Sequence, residues 1–383
     1  MTGIGRRFAL LLLAAAAVGF TPVPASAAGD AGTAVISADK VIGVPAQGTY
    51  RIHVIDVGTG LSVFVEGADF TLLFDAGSND DFARGEGNRV LAYLNKVRPH
   101  LTKIDHLLLS HPHKDHSELM PDVLSTYEIG NLWDSGSTNP ICSYRMLLTA
   151  AATKHGLTYH DSIDGSGEHK VSFAQQKCYG KSVPAGAVSV ARGAVIAPKL
   201  EIQLGAGATM TFLHGYGAET TDFNNASLIV RLTLGGRHIL LPGDAQGGQR
   251  KAPSEPAAVG SVEKQALDCC RALLASDVLV AGHHGSKTSS RREFLDAIKA
   301  TTYVISAGPT KYGSVTLPDD VVVQELSSRG IVWRTDVDDA ACKTSTTKIG
   351  TPNDGKPGGC DNVVILIGSD GGISTGYYRP TAH

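Results

Sequence analysis

Aromatic side chains are scarce, with two tryptophans, ten phenylalanines and eleven tyrosines among 383 residues. An excess of positive charge is missing too, since 34 Lys and Arg face 37 Asp and Glu for a formal charge of −3. A dedicated nucleic-acid-binding domain carries a basic balance, and a single-strand groove adds interleaved aromatics. The sequence has neither signature. Beyond the N-terminal segment no apolar run approaches the ~20 residues that a membrane span needs, which excludes a transmembrane channel within this chain. No repeat with a period of roughly twenty to fifty residues is evident, which excludes a solenoid or propeller. What remains is an ordinary globular composition, 42% apolar and 19% charged, sized for one large domain or two smaller ones.

Glycine is plentiful instead, at 44 residues, and favours strands joined by loops over a helical bundle. The N-terminus reads as an export signal over residues 1–27: Arg6 and Arg7, the apolar "FALLLLAAAAVGF", then the small residues of "PVPASAA" up to Ala27. Its removal takes away two arginines and no acid, moving the formal charge to about −5. The expected location is therefore periplasmic or secreted. Residues 28–48 read as a small, polar linker. Six cysteines, an even number, predict disulfides in such a compartment. Cys342 and Cys360 flank a Gly/Pro-rich loop, and Cys142 and Cys178 flank another irregular stretch. Cys269 and Cys270 are adjacent, and neighbours rarely bridge.

From residue 49 to 376 the pattern alternates strands and helices. "YRIHVIDVGTGLSVFVEGADFTLLFDAG" reads as a meander of short strands, "NRVLAYLNKV" as an amphipathic helix and "KIDHLLLS" as a strand. Residues 137–195 read as an irregular insertion with one helix near "SYRMLLTAAATKHG". Strands resume at "KLEIQLG" and run through "HILLPGDA". Helices and strands then alternate to a closing hairpin near "NVVILIGSDGGISTGYY". Two sheets packed together with helices outside fit this order.

The segment "LLLSHPHKDH" ends a leucine-rich strand with His111, His113, Asp115 and His116. Imidazole and carboxylate at this density point to a transition-metal site. Other metal-type residues recur at strand ends: Asp75 in "TLLFDAG", Asp244 in "HILLPGDA", and His283 and His284 in "DVLVAGHHGS". Rigid sheets hold such loop residues in register.

Together, "HPHKDH", "GDA" and "HHGS" resemble the metallo-β-lactamase superfamily, and more narrowly the hydrolase domain of ComEC-type competence proteins. The matching segments span most of residues 50–336. The resemblance implies a metallo-β-lactamase-like αββα sandwich, two mixed β-sheets flanked by helices, with a dinuclear metal site at one edge. It implies that His111 and His113 hold one metal, Asp115 and His116 the other, and that Asp244 bridges them. His283 aligns with the last histidine ligand and His284 stands near the leaving group, with the reverse order of the pair left open. Asp75 would support the ligand loop. A further ligand is either His214 or an amide at Asn225 or its neighbour Asn224. The catalytic candidates are Asp115, Asp244 and His284. The substrate-binding candidates are Asn225, Ser286, Lys287 and Thr288.

Two divalent cations are implied, zinc first, with manganese or iron admitted by a bridging carboxylate. Such a pair suits an exported hydrolase of phosphodiesters, small-molecule or nucleic acid, with no protein partner evident. The alternatives are hydrolysis of another ester, a lactone or an amide, as by a β-lactamase, and a non-catalytic metal-binding surface module. The chain departs from the ComEC-like pattern at Thr59, Leu61, Ser117 and Glu118, and has Ser314 and Thr316 where a histidine commonly follows "YG".

Overall fold

A computed structural model of the chain describes residues 34–163, 167–215, 220, 222–337 and 362–378. The expected export signal and the Cys342–Cys360 bridge lie outside these residues. The first sheet begins as an antiparallel meander of β-branched and aromatic runs: β1 (Tyr50–Val54), β2 (Val63–Glu66) and β3 (Thr71–Phe74). It continues in parallel through β4 (Lys103–Leu109), β5 (Glu128–Asp134) and β6 (Thr158–Asp161). Parallel strands are covered on both faces. That is why β4 reads as an unbroken leucine run, Leu107–Leu109, all three fully buried.

Helices α1 (Arg89–Val97), α2 (Lys114–Ser117), α3 (Met120–Thr126) and α4 (Cys142–Thr153) connect these strands. Asn88 caps α1 by accepting from the amides of Val90 and Leu91. Pro121 sits in the first turn of α3, where its missing N–H costs no helix bond.

The stretch read as an irregular insertion is more ordered than its sequence pattern suggested. Beyond α4 and β6 it forms a ribbon of β7 (Glu168–Phe173) and β10 (Gly186–Ala191), and a hairpin of β8 (Gln176–Cys178) and β9 (Lys181–Val183). These strands are short, and β7 buries only alternate residues, so no apolar run marks them. The Cys142–Cys178 bridge ties the hairpin to the start of α4. Cys269 and Cys270 are also joined, against the expectation for neighbours. The described part of the presumed linker packs onto the first sheet: Val41 is fully buried and the Ile36 amide donates to the Tyr377 carbonyl.

The second sheet runs antiparallel through β11 (Glu201–Gly205), β12 (Ala208–His214), β13 (Ile229–Leu234) and β14 (Arg237–Leu241). It becomes parallel through β15 (Val278–Val280), β16 (Thr302–Ile305) and β19 (Ile331–Arg334). A small hairpin, β17 (Lys311–Tyr312) with β18 (Val315–Thr316), precedes β19. Helices α5 (Val262–Cys270), α6 (Arg292–Ile298) and α7 (Asp320–Ser327) flank this sheet. Finally β20 (Asn362–Ile367) and β21 (Ile373–Tyr378) return to the first sheet, where β20 pairs with β1.

Three apolar clusters follow from this order. Tyr93, Leu94, Leu119 and Leu147 pack helices on the outer face of the first sheet. Phe74, Leu108, Phe212, Leu241 and Val280 fill the space between the sheets. Leu267, Leu295, Leu326 and Ile229 pack helices on the outer face of the second. The result is the αββα sandwich that the resemblance implies.

Glu263 is an acid buried outside these apolar clusters. Glu263 on α5 accepts the amides of Ser290 and Arg291, and the Arg291 guanidinium donates to the carbonyls of Lys251 and Ala252. Burial pushes the Glu263 carboxyl up to about 8, against the pull of those donors. An unfolded chain ionises this group near 4.5, so between these values only the native state holds the proton and stability falls as pH rises. In thermal unfolding we expect the advantage of wild type over Glu263→Gln to shrink from about pH 5 to about pH 8. A gap that stays constant over that range would show that Glu263 carries no proton in the fold.

Candidate metal centre

Strand β4 delivers its histidines at the edge of the sandwich, and the loop after it is fixed by one carboxylate. Asp75, fully buried just after β3, accepts the Ser110 amide and the Ser110 hydroxyl, each at 2.7 Å, and contacts His116 Nδ1 at 2.8 Å. Its φ of 59° is left-handed, a conformation that aspartate tolerates better than most residues. Gly77 follows because the backbone of the histidine loop passes against it: a Cβ there would lie 2.2 Å from the Asp115 carbonyl carbon. With Nδ1 turned to a carboxylate, the His116 lone pair is left on Nε2, facing the edge.

The second sheet brings the remaining groups. Asp244 follows β14, and its amide donates to Ser227 Oγ at 3.1 Å. His283 and His284 follow β15, both left-handed, with φ of 49° and 52°. His284 Nδ1 lies 2.9 Å from the Ser306 carbonyl, which fixes its tautomer and leaves Nε2 as the lone-pair nitrogen.

Two clusters of ligand atoms result, each with all its atoms within 4.8 Å of one another: His111, His113 and Asp244, and Asp115, His116 and His284. Asp244 lies between them. Its Oδ1 is 3.2 Å from His116 Nε2, and its Oδ2 is 3.7 Å from His111 Nε2 and 3.7 Å from His284 Nε2. The 3.2 Å approach lacks hydrogen-bond alignment. Buried without a hydrogen-bond partner are the Nε2 atoms of His116 and His284 and Asp244 Oδ1. Leaving a buried polar atom unpaired costs about 1–3 kcal/mol. Converging orphaned atoms with borderline-soft and hard donors are what a divalent cation pair satisfies, so the residues present fit such a pair.

The charges agree. Burial works against ionisation of Asp244, yet the imidazoles of His116, His284 and His283 hold its carboxyl well below the usual range. Asp115 is lowered in the same way, with His284 and His116 outweighing burial. Burial acts to lower His116, but Asp244 and Asp75 raise it well above the ordinary value, so a metal ion at Nε2 would have to displace a proton there. The edge is thus an anionic pair that draws positive charge.

The structure places the other sequence-derived candidates unequally. Of the tandem histidines, His284 completes the second ligand cluster, which is the reverse order that the sequence left open rather than the alignment that put His283 first. His283 stands at the rim, its side chain 20% exposed, with Nε2 3.7 Å from Asp244 Oδ2. Two successive left-handed residues turn the second ring, not the first, into the centre. Asn225 is exposed; the buried amide is Asn224, whose Oδ1 has no hydrogen-bond partner and whose Nδ2 is 3.4 Å from His283 Nε2. His214 is in neither cluster, and its Nδ1 contacts the Ser227 carbonyl at 2.8 Å.

Ser286 and Thr288 turn inward rather than towards a substrate. Thr288 Oγ1 contacts His283 Nδ1 at 2.6 Å and donates to Ser286 Oγ at 3.0 Å, and Ser286 Oγ accepts from Arg250. Lys287 is half-buried, its amide donating to Asp319. Two groups escaped the sequence reading. Ser110 is adjacent to the motif and was legible as part of it. Tyr312, whose hydroxyl donates to Asp115 Oδ2 at 2.6 Å, lies 197 residues away; it is the tyrosine of the "YG" pair, but that pair gives no sign of the contact with Asp115.

Comparison with known proteins adds to this geometry. Residues 55–308 match the Metallo-beta-lactamase superfamily. The chain is 23% identical over 260 residues to recombination protein 2 of Haemophilus influenzae, covering 68% of this chain and 24% of that protein. It is 31% identical over 135 residues to competence protein ComA of Neisseria gonorrhoeae, covering 35% of this chain and 17% of that protein. The chain thus spans about a quarter or less of the length of these relatives. Among solved structures, the metallo-beta-lactamase fold protein YhfI of Bacillus subtilis is similar at 14% identity and a TM-score of 0.41, covering 75% of this chain and 96% of that one.

The dependence of His116 on Asp75 is open to test. Asparagine keeps the left-handed backbone but offers an N–H to His116 Nδ1, which moves the imidazole proton onto Nε2 and blocks the ligand atom. We expect Asp75→Asn to weaken metal binding by about 10–100-fold. Titration of metal-stripped protein with zinc would show it, and equal affinities for variant and wild type would remove Asp75 from the account of the centre.

Proposed function

This chain belongs to the metallo-β-lactamase superfamily, and from that premise we propose that it is a metal-dependent hydrolase of phosphodiesters acting outside the cytoplasm. The observation that carries the reading is the pair of three-residue ligand clusters with Asp244 between them. Two divalent cations, zinc foremost and manganese or iron as alternatives, would be held by His111, His113 and Asp244 and by Asp115, His116 and His284. When bound they supply Lewis acidity and a water of lowered pKa.

The chain's own residues do the rest. Asp75 and the Ser306 carbonyl hold the lone pairs of His116 and His284 on the ligand side. Thr288, Ser286 and Arg250 orient His283 at the rim, beside Asn224. Lys287, next to Thr288 in the chain, would supply a cation for an anionic diester. In-line displacement at phosphorus needs both the attacking and the leaving oxygen stabilised, a requirement that paired cation sites meet.

A relative named as a recombination protein supports nucleic acid among the diesters. Two features support the extracytoplasmic placement: the N-terminal apolar segment behind Arg6 and Arg7, and the Cys142–Cys178 bridge. No helix among the described residues is long and apolar enough to cross a membrane.

The test is steady-state kinetics with defined metals on bis-p-nitrophenyl phosphate, DNA, a phosphocholine ester, a lactone and a cephalosporin. We expect diesters to be turned over and about two metal ions per chain to be found by metal analysis. Asp244→Ala should abolish hydrolysis of every accepted substrate, a loss of at least about 10²–10³. Lys287→Ala should keep its metal and lose rate mainly on charged diesters. A folded Asp244→Ala with wild-type turnover would refute the mechanism, and cleavage of the lactone or cephalosporin alone would refute the substrate.

A further inference from the structure

We propose that Tyr312 is a catalytic residue of this centre, donating its phenolic hydrogen bond to the leaving-group oxygen of the diester. The proposal rests on the phosphodiester reading above. The Tyr312 hydroxyl donates to Asp115 Oδ2 at 2.6 Å and accepts from Asn79 Nδ2 at 3.0 Å. Asp115 belongs to the second ligand cluster, so the phenol stands at one of that cluster's own oxygens. The residue is 41% exposed, on the two-stranded hairpin β17–β18, so it stands at the surface beside the centre rather than in the core.

The hairpin is held in place. The Thr310 amide donates to Thr59 Oγ1 at 2.9 Å, and the Thr310 hydroxyl to Asp80 Oδ1 at 2.6 Å. Asp80 Oδ2 in turn accepts the Thr59 amide at 2.6 Å. Gly308 packs so closely on the same loop that a Cβ would lie 2.1 Å from the Thr59 nitrogen. Three hydrogen bonds to the segment between β1 and α1, counting the one from Asn79, and the close approach of Gly308 therefore aim one phenol at one ligand carboxylate. The other hydroxyls of the centre are committed elsewhere: Ser110 to Asp75, and Ser286 and Thr288 to the His283 relay.

Rotation about the phenolic C–O bond redirects the O–H from Asp115 to an incoming oxygen without moving the ring. Asp115 keeps its place, with His284 Nε2 3.6 Å from its Oδ2. In the step, the bond from the water oxygen to phosphorus forms as the bond from phosphorus to the leaving oxygen breaks. The electron pair stays on the leaving oxygen, which takes up a solvent proton as it departs, and the water proton is lost to solvent. Tyr312 keeps its own proton throughout and stabilises the charge that develops on that oxygen.

A hydrogen bond to the leaving oxygen matters in proportion to the charge that gathers there. Tyr312→Phe should therefore lose about 10²–10³ in kcat on diesters with an alkoxide leaving group, and less than about 10-fold on p-nitrophenyl diesters. KM should change little, and metal content by elemental analysis should match wild type. If Tyr312→Phe loses both classes equally while wild type cleaves both, or if it loses metal, the tyrosine merely clamps Asp115 and the proposal fails. A wild type that cleaves no diester overturns the phosphodiester reading and this proposal together.

Discussion

Asp75 never enters a ligand cluster, yet the histidine edge depends on it. Its two oxygens take the amide and hydroxyl of Ser110 and the Nδ1 of His116, and thereby tie the end of β3 to the loop beyond β4. A buried carboxylate is expensive unless every lone pair is used. Burial pushes Asp75 up, and His116 and Ser110 pull against that rise. The same three contacts decide which nitrogen of His116 faces the edge. Remove them and the loop loses its register and the imidazole its tautomer.

The backbone at this edge is held in conformations that side chains seldom adopt. Asp75, His283, His284 and Ser290 all have positive φ. Each such residue costs on the order of 1–3 kcal/mol and persists only where its surroundings over-determine it. The cluster between the sheets and the cluster under α5, α6 and α7 are those surroundings. Glu263 belongs to the same scheme, since it catches the amides of Ser290 and Arg291 just where the strained loop ends. Four ligands hang from the first sheet and two from the second, and the apolar layer between the sheets sets their spacing.

How much of this could be read beforehand follows from range. "HPHKDH", "GDA" and "HHGS" are local patterns at strand ends, and the strands behind them are apolar runs, so the site and the sandwich were legible. The order of His283 and His284 was not, because it depends on two left-handed residues that no pattern announces. Asn224 and Asn225 differ only in which one a short 3-10 turn, Phe223–Ala226, faces inward. Ser286 and Thr288 looked like phosphate ligands because small hydroxyls beside a metal motif serve either role; their neighbours Arg250 and His283 decide it. Tyr312 depends on a contact between residues far apart in the chain. The insertion looked irregular because its short strands bury single alternating residues, too few to make a periodic signal.

The pairing of β20 with β1 has a consequence for how the molecule comes into being. Tyr50 finds its partner Ile367 only after more than three hundred residues have passed. Until then the free edge of β1 presents unpaired N–H and C=O groups beside a hydrophobic face, which is the template that sheets use for association with other chains. Contacts of such long range also slow folding, because their loop-closure cost precedes their reward. The histidine loop can reach its local form early, but the sheet that carries it is finished last. A nascent chain stalled before Asn362 would therefore be metal-competent in sequence and aggregation-prone in shape.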